Sequence, residues 1–113
     1  MERQEEFRIK NGTLVRYLGK SKEAEIPAGV RNIGDGAFEG KRELTGVSIP
    51  AGVRRIGYKA FAGCESLREI RVPEGVKSIC EGAFQGCRSL EAVFLPGSLV
   101  SIGDKAFLVC GRE

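Results

Sequence analysis

The residue types that most often carry enzymatic chemistry are scarce in this chain. Histidine is absent, which excludes Ser-His-Asp and Cys-His nucleophilic sites and every zinc site that contains histidine. Asp35 and Asp104 are the only aspartates, and each follows a glycine, so both are interpreted as turn residues. The triplet Gly34-Asp35-Gly36 precedes no long helical pattern and does not predict a phosphate-binding loop. We therefore predict a protein that is not an enzyme, with no catalytic, cofactor-binding or metal-binding residues and no cofactor.

The four cysteines are the remaining reactive side chains. Cys64, Cys87 and Cys110 are 23 residues apart, with Lys41 at the corresponding place in the first copy. If equivalent residues stack, neighbouring Cα atoms come within disulfide reach. One interpretation is therefore a bridge in an oxidising compartment, with the third thiol unpaired; the favoured one is small buried thiols that fill core space. Cys80 replaces a glycine. The sequence has no Cys-x-x-Cys spacing, so it does not predict a structural zinc site.

The 23-residue step extends well beyond the cysteines. All four prolines keep it, and so do columns of phenylalanine, alanine and isoleucine. The columns are Pro27, Pro50, Pro73 and Pro96; Phe38, Phe61, Phe84 and Phe107; Ala37, Ala60, Ala83 and Ala106; and Ile33, Ile56, Ile79 and Ile102. So many columns in one register indicate an internal repeat, and the repeat decides the fold.

Each unit predicts a short strand followed by turns. Ile70 and Val72 flank Arg71 in the period-2 pattern of a strand with one buried face. Proline ends the strand because it donates no backbone hydrogen bond, and the following Glu74-Gly75 makes a turn. Residues 58–61 are too few for a full helix, so we expect a single helical or 3₁₀ turn there. One unit cannot bury its own apolar face, so the units are predicted to stack as a solenoid with a stacked phenylalanine column.

The copy at residues 49–67, IPAGVRRIGYKAFAGCESL, resembles the unit of the BspA-type leucine-rich repeats of bacteria. The resemblance covers four 23-residue repeats in residues 26–110. It implies a right-handed leucine-rich-repeat solenoid of short parallel β-strands. About residues 5–19 look like the family's N-terminal cap, here a β-hairpin centred on Asn11-Gly12, a strong hairpin signal. Residues 1–113 then form a single repeat domain.

The resemblance also implies surface-associated adhesion or protein binding, since many members of the family are secreted. The polar start of the chain, Met1 to Glu6, leads into no apolar run. A secretory signal needs one, so the chain as written is expected to be cytoplasmic, or at the cell surface or secreted if it is a fragment. No segment approaches the ~18 apolar residues that span a bilayer, so no membrane insertion is expected. The 18 basic and 15 acidic residues are interleaved, so no nucleic-acid partner is expected.

The residues between the apolar strand positions are the predicted binding face. In a leucine-rich solenoid they line the concave side, and they differ from copy to copy while the frame repeats. One column is Glu25, Ser48, Arg71 and Phe94, and a second is Glu23, Gly46, Glu69 and Ala92. Variation on a fixed frame is typical of recognition, and free drift on a tolerant surface gives the same pattern. Arg71 and Phe94 are the best candidate anchors, because arginine and aromatic residues dominate interface hot spots.

The last copy departs from the frame with apolar residues. Val100 stands where the other copies have arginine or lysine, and Val109 stands where they have glycine, preceded by Leu108. Three interpretations remain: a self-made cap, a homodimer through this C-terminal edge, or a chain that continues. The leading functional hypothesis is a non-catalytic module that binds a protein partner through the concave strand face. The alternatives are an assembly unit that self-associates through its C-terminal repeat and a fragment of a cell-surface adhesin.

Overall fold

Each repeat forms one coil with two short strands, whereas the sequence pattern predicts one. The computed structural model describes residues 6–111. Its strands are β1 (Phe7–Lys10), β2 (Thr13–Tyr17), β3 (Glu23–Glu25), β4 (Asn32–Ile33), β5 (Gly46–Ser48), β6 (Arg55–Ile56), β7 (Glu69–Arg71), β8 (Ser78–Ile79), β9 (Ala92–Phe94) and β10 (Ser101–Ile102). The strands β3, β5, β7 and β9 fall where the sequence predicts them. The two-residue strands β4, β6, β8 and β10 are too short to leave a period-2 signal.

Parallel pairing in register joins one coil to the next. The two-residue strands, together with β1 and β2, form a six-stranded sheet in the order β1-β2-β4-β6-β8-β10. Within it Ile33 lies opposite Ile56, and Ile56 lies opposite Ile79. A solenoid of short parallel strands is therefore confirmed. The three-residue strands form two separate sheets, β3-β5 and β7-β9. No ladder joins β5 to β7 in the described part of the chain, so the face of the longer strands is divided between the second and third coils.

Stacked aromatic rings run through the core. The rings of Phe38 and Phe61 have centroids 4.8 Å apart and an interplanar angle of 9°. The next two steps of the column, to Phe84 and Phe107, measure 5.1 and 5.2 Å. Tyr17 stacks on the first ring of this column at 5.0 Å. Since the three middle rings are fully buried, the predicted phenylalanine column is confirmed, and a tyrosine from outside the repeats extends it.

The expected helical or 3₁₀ turn at residues 58–61 is not confirmed, and residues 6–111 contain no α-helix. The amides of Ala60 and Ala62 donate back to the carbonyls three residues earlier, at 3.2 Å each. The amides between and after them, of Phe61 and Gly63, donate instead to the next coil, at 2.7 Å each. Lys59 also has a φ of 53°. A helix needs successive amides to donate within the segment. Here every second amide donates to the next coil instead.

A hairpin precedes the first coil. Strands β1 and β2 pair antiparallel, and Asn11 and Gly12 between them have φ angles of 51° and 80°. Two left-handed residues in a two-residue loop are typical of a type I′ turn. Strand β2 then pairs in parallel with β4, so that Leu14 lies opposite Ile33. The hairpin is thus present at residues 7–17, and its role as a cap remains a prediction.

The last coil exposes side chains that lie inside in the other coils. Ile102 is 46% exposed, whereas its equivalents Ile56 and Ile79 are 0% and 1% exposed. Val109 occupies the position of Gly40, Gly63 and Gly86, and it keeps their left-handed backbone with a φ of 60°. A β-branched residue in this region is a conformational outlier. The last coil therefore combines exposed apolar surface with local backbone strain.

Replacing Val109 with glycine is expected to stabilise the protein by about 1 kcal/mol, because the left-handed conformation costs an L-residue roughly that much. Urea unfolding followed by circular dichroism measures the change. The reverse substitution, Gly63→Val, is the matched control and should destabilise, although a Cβ at Gly63 would have room, with its nearest neighbour at 3.6 Å. A loss of stability in Val109→Gly would show that apolar packing at residue 109 outweighs the strain.

Candidate binding face

Asp35, one of the two aspartates, connects neighbouring coils through its side chain. The carboxylate of Asp35 accepts a hydrogen bond from the amide of Tyr58 at 2.9 Å and lies 3.6 Å from the guanidinium of Arg55. Within residues 6–111, no three or more histidine, cysteine, aspartate or glutamate side chains come together in a way that could hold a metal ion.

The cysteine column lies where the repeat places it. The thiols of Cys64 and Cys87 are buried, and each donates to a phenylalanine carbonyl 26 residues earlier, at 3.3 Å. The thiol of Cys110 donates in the same way at 2.9 Å and is partly exposed, because no coil lies over it in the described residues. All four cysteines, Cys80 included, are free thiols. The favoured interpretation, small thiols that fill core space, describes the first two.

The three stacked thiols differ in pKa, because they differ in burial and in their contacts with each other. Burial raises the pKa of Cys64 to about 12. A side-chain hydrogen bond with Cys87 lowers the pKa of Cys110 to about 7, while the same bond raises the pKa of Cys87. Position in the column thus makes the last thiol the most acidic of the three.

One half of the predicted binding face is a cluster on β7 and β9. Arg71 and Phe94 lie directly opposite each other in the ladder, with the guanidinium carbon 4.2 Å from the ring centroid. The same guanidinium forms an ion pair with Glu69, with Nε and Oε2 3.0 Å apart. All three side chains are exposed. We call them the Arg71 cluster. Because Arg71 is held on both sides, less side-chain entropy remains to be lost when a partner binds.

The other half is an acidic shelf on β3 and β5. Glu23 lies opposite Gly46 and Glu25 lies opposite Ser48, so two carboxylates stand beside residues with little or no side chain. Residues 23–25 and 46–48 line an open cleft of about 500 Å³. The absence of a side chain at Gly46 leaves this room. The shelf offers negative charge and space, where the Arg71 cluster offers a cation and an aromatic ring.

A second cleft, of about 510 Å³, lies between the two halves, where β5 and β7 are not paired. Ser48, Glu69 and Arg71 contribute to its walls, and so do Val47 and Ile49. The last two belong to the apolar frame, so the pattern assigns them to the core, yet both are only partly buried. Sequence reasoning missed them because no residue type in the pattern marks the break between the sheets. The six predicted face residues are all exposed and form two neighbouring groups with this cleft between them.

The predicted self-association edge is also exposed. Val100 is 79% exposed, Val109 51% and Leu108 44%. Val93, Leu95 and Ile102 are exposed apolar residues of the same coil and were not predicted, because their equivalents in the preceding coil, Ile70, Val72 and Ile79, are buried. No helix long and apolar enough to cross a membrane occurs among residues 6–111.

Comparison with known proteins places this geometry among bacterial repeat proteins. Residues 13–112 match the family described as BspA type Leucine rich repeat region, in six copies. A leucine-rich repeat protein of Treponema pallidum is 34% identical over 88% of the chain, with a TM-score of 0.83. A leucine-rich repeat protein of Bacteroides capillosus is 35% identical over 92% of the chain, with a TM-score of 0.80. The chain spans 51% of the first protein and 86% of the second. No curated protein matches the sequence.

Alkylation should discriminate among the three stacked thiols. At pH 8, above the pKa of Cys110, most of that thiol is thiolate, and the thiolate is the nucleophile. Iodoacetamide is therefore expected to modify Cys110 first and to leave Cys64 and Cys87 unmodified in the folded protein, as measured by peptide mass spectrometry. The rate should fall as the pH drops below 7. Modification of Cys64 at an equal rate would contradict both the burial and the order of acidity.

Proposed function

The chain belongs to the BspA-type leucine-rich repeat family, and on that premise we propose that it is a non-catalytic module that binds a protein partner through its strand face. Repeat domains of this kind generally serve as scaffolds for protein interactions. The observation that carries the proposal is the Arg71 cluster, an exposed Glu69–Arg71–Phe94 group with its arginine already held in place. Arginine and aromatic side chains supply a large share of the binding energy at protein interfaces.

The two halves of the face define what the partner must present. The shelf at Glu23 and Glu25 favours a basic group, and its cleft has room for a side chain beside Gly46. The Arg71 cluster favours an apolar or aromatic group on Phe94 and an acceptor for the guanidinium. The partly exposed Val47 and Ile49 in the central cleft add apolar contact. A partner segment that crosses from one half to the other would meet the acidic shelf, the apolar cleft and the Arg71 cluster in turn.

BspA-type proteins are often associated with the cell surface. A partner outside the cell is therefore part of the proposal, and the adhesin fragment is the form that it would take. The chain spans 51% of the Treponema pallidum protein, so it would supply one part of a longer binding surface in a protein of that length.

Phe94→Ala is expected to weaken partner binding by at least roughly 30-fold, the loss typical of a hot-spot residue. Placing a photo-crosslinking amino acid at Ser48, beside the central cleft, identifies the partner in the source cell. Calorimetry with the purified partner then measures affinity. The melting temperature of Phe94→Ala should stay unchanged, because the ring is 45% exposed.

Tyr58→Ala is the matched control for that experiment. Tyr58 is 44% exposed and also has a cation beside its ring, the Lys59 ammonium at 5.4 Å, but it lies outside the strand face. This variant should keep full affinity. Equal affinities of Phe94→Ala and the unmodified protein would reject the strand face as the binding site.

A second candidate function, assembly through the last coil, is favoured by the exposed edge. Val100, Leu108 and Val109 are exposed, and so are Val93, Leu95 and Ile102, whose equivalents in the preceding coil are buried. Exposed apolar surface of this kind marks interaction sites in soluble proteins. Strands β9 and β10 each have one edge unpaired within residues 6–111. A second copy that placed its last coil against this one would cover both features.

Sedimentation velocity at several protein concentrations tests this assembly. A monomer–dimer shift with rising concentration is expected, and Val100→Lys combined with Leu108→Lys should abolish it, because each lysine would bring an unpaired charge into the interface. Ile9→Lys, at a residue 41% exposed on the hairpin, is the control and should leave the shift intact. A single monomeric species at every concentration would eliminate this candidate.

A further inference from the structure

The turns that follow the prolines form an edge of the solenoid distinct from the strand face. Gly29, Gly52 and Gly75 in these turns have φ angles of 98°, 101° and 102°. In the third coil the amide of Val76 donates to the carbonyl of Pro73 at 3.4 Å, which closes the turn. A left-handed glycine at the third position of such a turn is typical of type II geometry. Each coil therefore presents the same turn at the same edge.

In the later coils, side-chain oxygens accept hydrogen bonds from the amides of these turns. The amide of Gly75 donates to the hydroxyl oxygen of Ser98 at 2.9 Å. The amide of Gly97 donates to the carboxylate of Glu74 at 3.2 Å. One amide of the third turn and one of the fourth thus each have a side-chain acceptor in the other turn, and one of the acceptors is a carboxylate.

The corresponding donors of the first two coils have no such acceptor. The amides of Gly29, Ala51 and Gly52 donate to no group in residues 6–111. Ala28 and Ala51 stand where Glu74 stands, and Gly52 lies one repeat along from Gly29, as Ser98 does from Gly75, so no side-chain oxygen is available. The same geometry here presents backbone donors to solvent.

Unpaired cations flank these free amides. The amide of Arg54 donates to the carbonyl of Arg31 at 2.7 Å, and that of Lys77 donates to the carbonyl of Arg54 at 2.8 Å, so the three residues occupy successive coils. Their side chains are exposed and form no ion pair in the described part of the chain. Like charges on neighbouring coils repel each other, and a bound anion relieves that repulsion. The neighbouring Arg55 is already paired with Asp35.

A cleft joins the amides to the cations. Residues 29–31 of one coil and Ala51, Gly52 and Arg54 of the next line a space of about 230 Å³. A Cβ built at Gly29 would meet nothing within 4 Å, so the approach to the backbone is open. Backbone amides beside guanidinium groups form a favourable site for an oxygen anion.

We propose that this cleft binds carboxylates of an acidic protein segment, at a second interaction surface separate from the strand face. The chain supplies the precedent, because the Glu74 carboxylate already accepts from the amide of Gly97 at the same edge. An aspartate or glutamate of a partner takes the equivalent place between the first two coils, where Arg31 and Arg54 add charge-assisted hydrogen bonds. Lys77 receives the next carboxylate along the segment.

Fluorescence anisotropy with a labelled glutamate-rich peptide and its glutamine counterpart tests the proposal. The glutamate peptide should bind, with an affinity that falls as salt rises above about 0.1 M, and the glutamine peptide should not. Arg31→Gln combined with Arg54→Gln should weaken binding by about tenfold. Arg68→Gln combined with Arg88→Gln removes the same charge from exposed positions elsewhere and should change the affinity by less than about twofold. Equal losses in both double variants would overturn the site.

Ala28→Glu is a sharper probe, since it places an internal carboxylate where Glu74 has one and should abolish peptide binding. Ser21→Glu adds the same charge at an exposed residue and should retain it. Phe94→Ala should also retain it, which separates this site from the strand face. A polyuronate that binds while the glutamate peptide does not would overturn the assignment of a protein ligand. Equal binding of the glutamine peptide would overturn the requirement for a carboxylate.

Discussion

The stacking of identical side chains one coil apart is the interaction on which this structure depends. Phe38, Phe61, Phe84 and Phe107 keep centroid distances of 4.8–5.2 Å and interplanar angles below 10°. A smaller side chain in this column would leave a void and a larger one would clash, because protein interiors are close-packed. No coil has a core of its own, so each depends on its neighbours, as is typical of repeat proteins. The backbone also depends on the neighbouring coil, since alternate amides donate to it instead of forming a helix.

How far the fold could be predicted follows from this constraint. Columns of one residue type must stack, so the proline, phenylalanine and isoleucine columns identified the coils, and Asn11-Gly12 identified the hairpin. The helical or 3₁₀ turn is not confirmed, because Ala60-Phe61 is compatible with either hydrogen-bonding scheme, and only the adjacent coil decides between them. The break between β5 and β7 was not predictable either. It depends on how two coils lie against each other. Gly46 of β5 has no side chain whose cross-strand contacts could indicate whether β5 and β7 pair.

For the candidate sites, position was easier to predict than contact. The repeat places Arg71 opposite Phe94, and alternation places Glu69 on the same face, so the members of the Arg71 cluster were identifiable. Their distances were not, because they depend on side-chain conformation: 3.0 Å to Glu69 and 4.2 Å to the ring. The turn edge was missed for a different reason. The column of Arg31, Arg54 and Lys77 was visible in the sequence, but whether the neighbouring amides have acceptors depends on contacts between residues 23 apart.

The same groups therefore recur in every coil of this repeat, and their chemistry depends on whether the neighbouring coil provides a partner for them. The turn amides recur throughout, and Glu74 and Ser98 each accept from one of them in the later coils, while the amides of Gly29, Ala51 and Gly52 have no acceptor among residues 6–111. The thiol column follows the same logic: Cys64 lies beneath another coil and is held neutral, whereas Cys110 lies at the uncovered coil and is the more acidic. Along the edge of longer strands, Gly46 opens a cleft that a larger residue would fill. In each case the adjacent coil determines the chemistry, through the groups that it supplies or lacks. The informative residues are consequently those where a column changes type and those of the last described coil, since there neighbouring coils differ in what they expose.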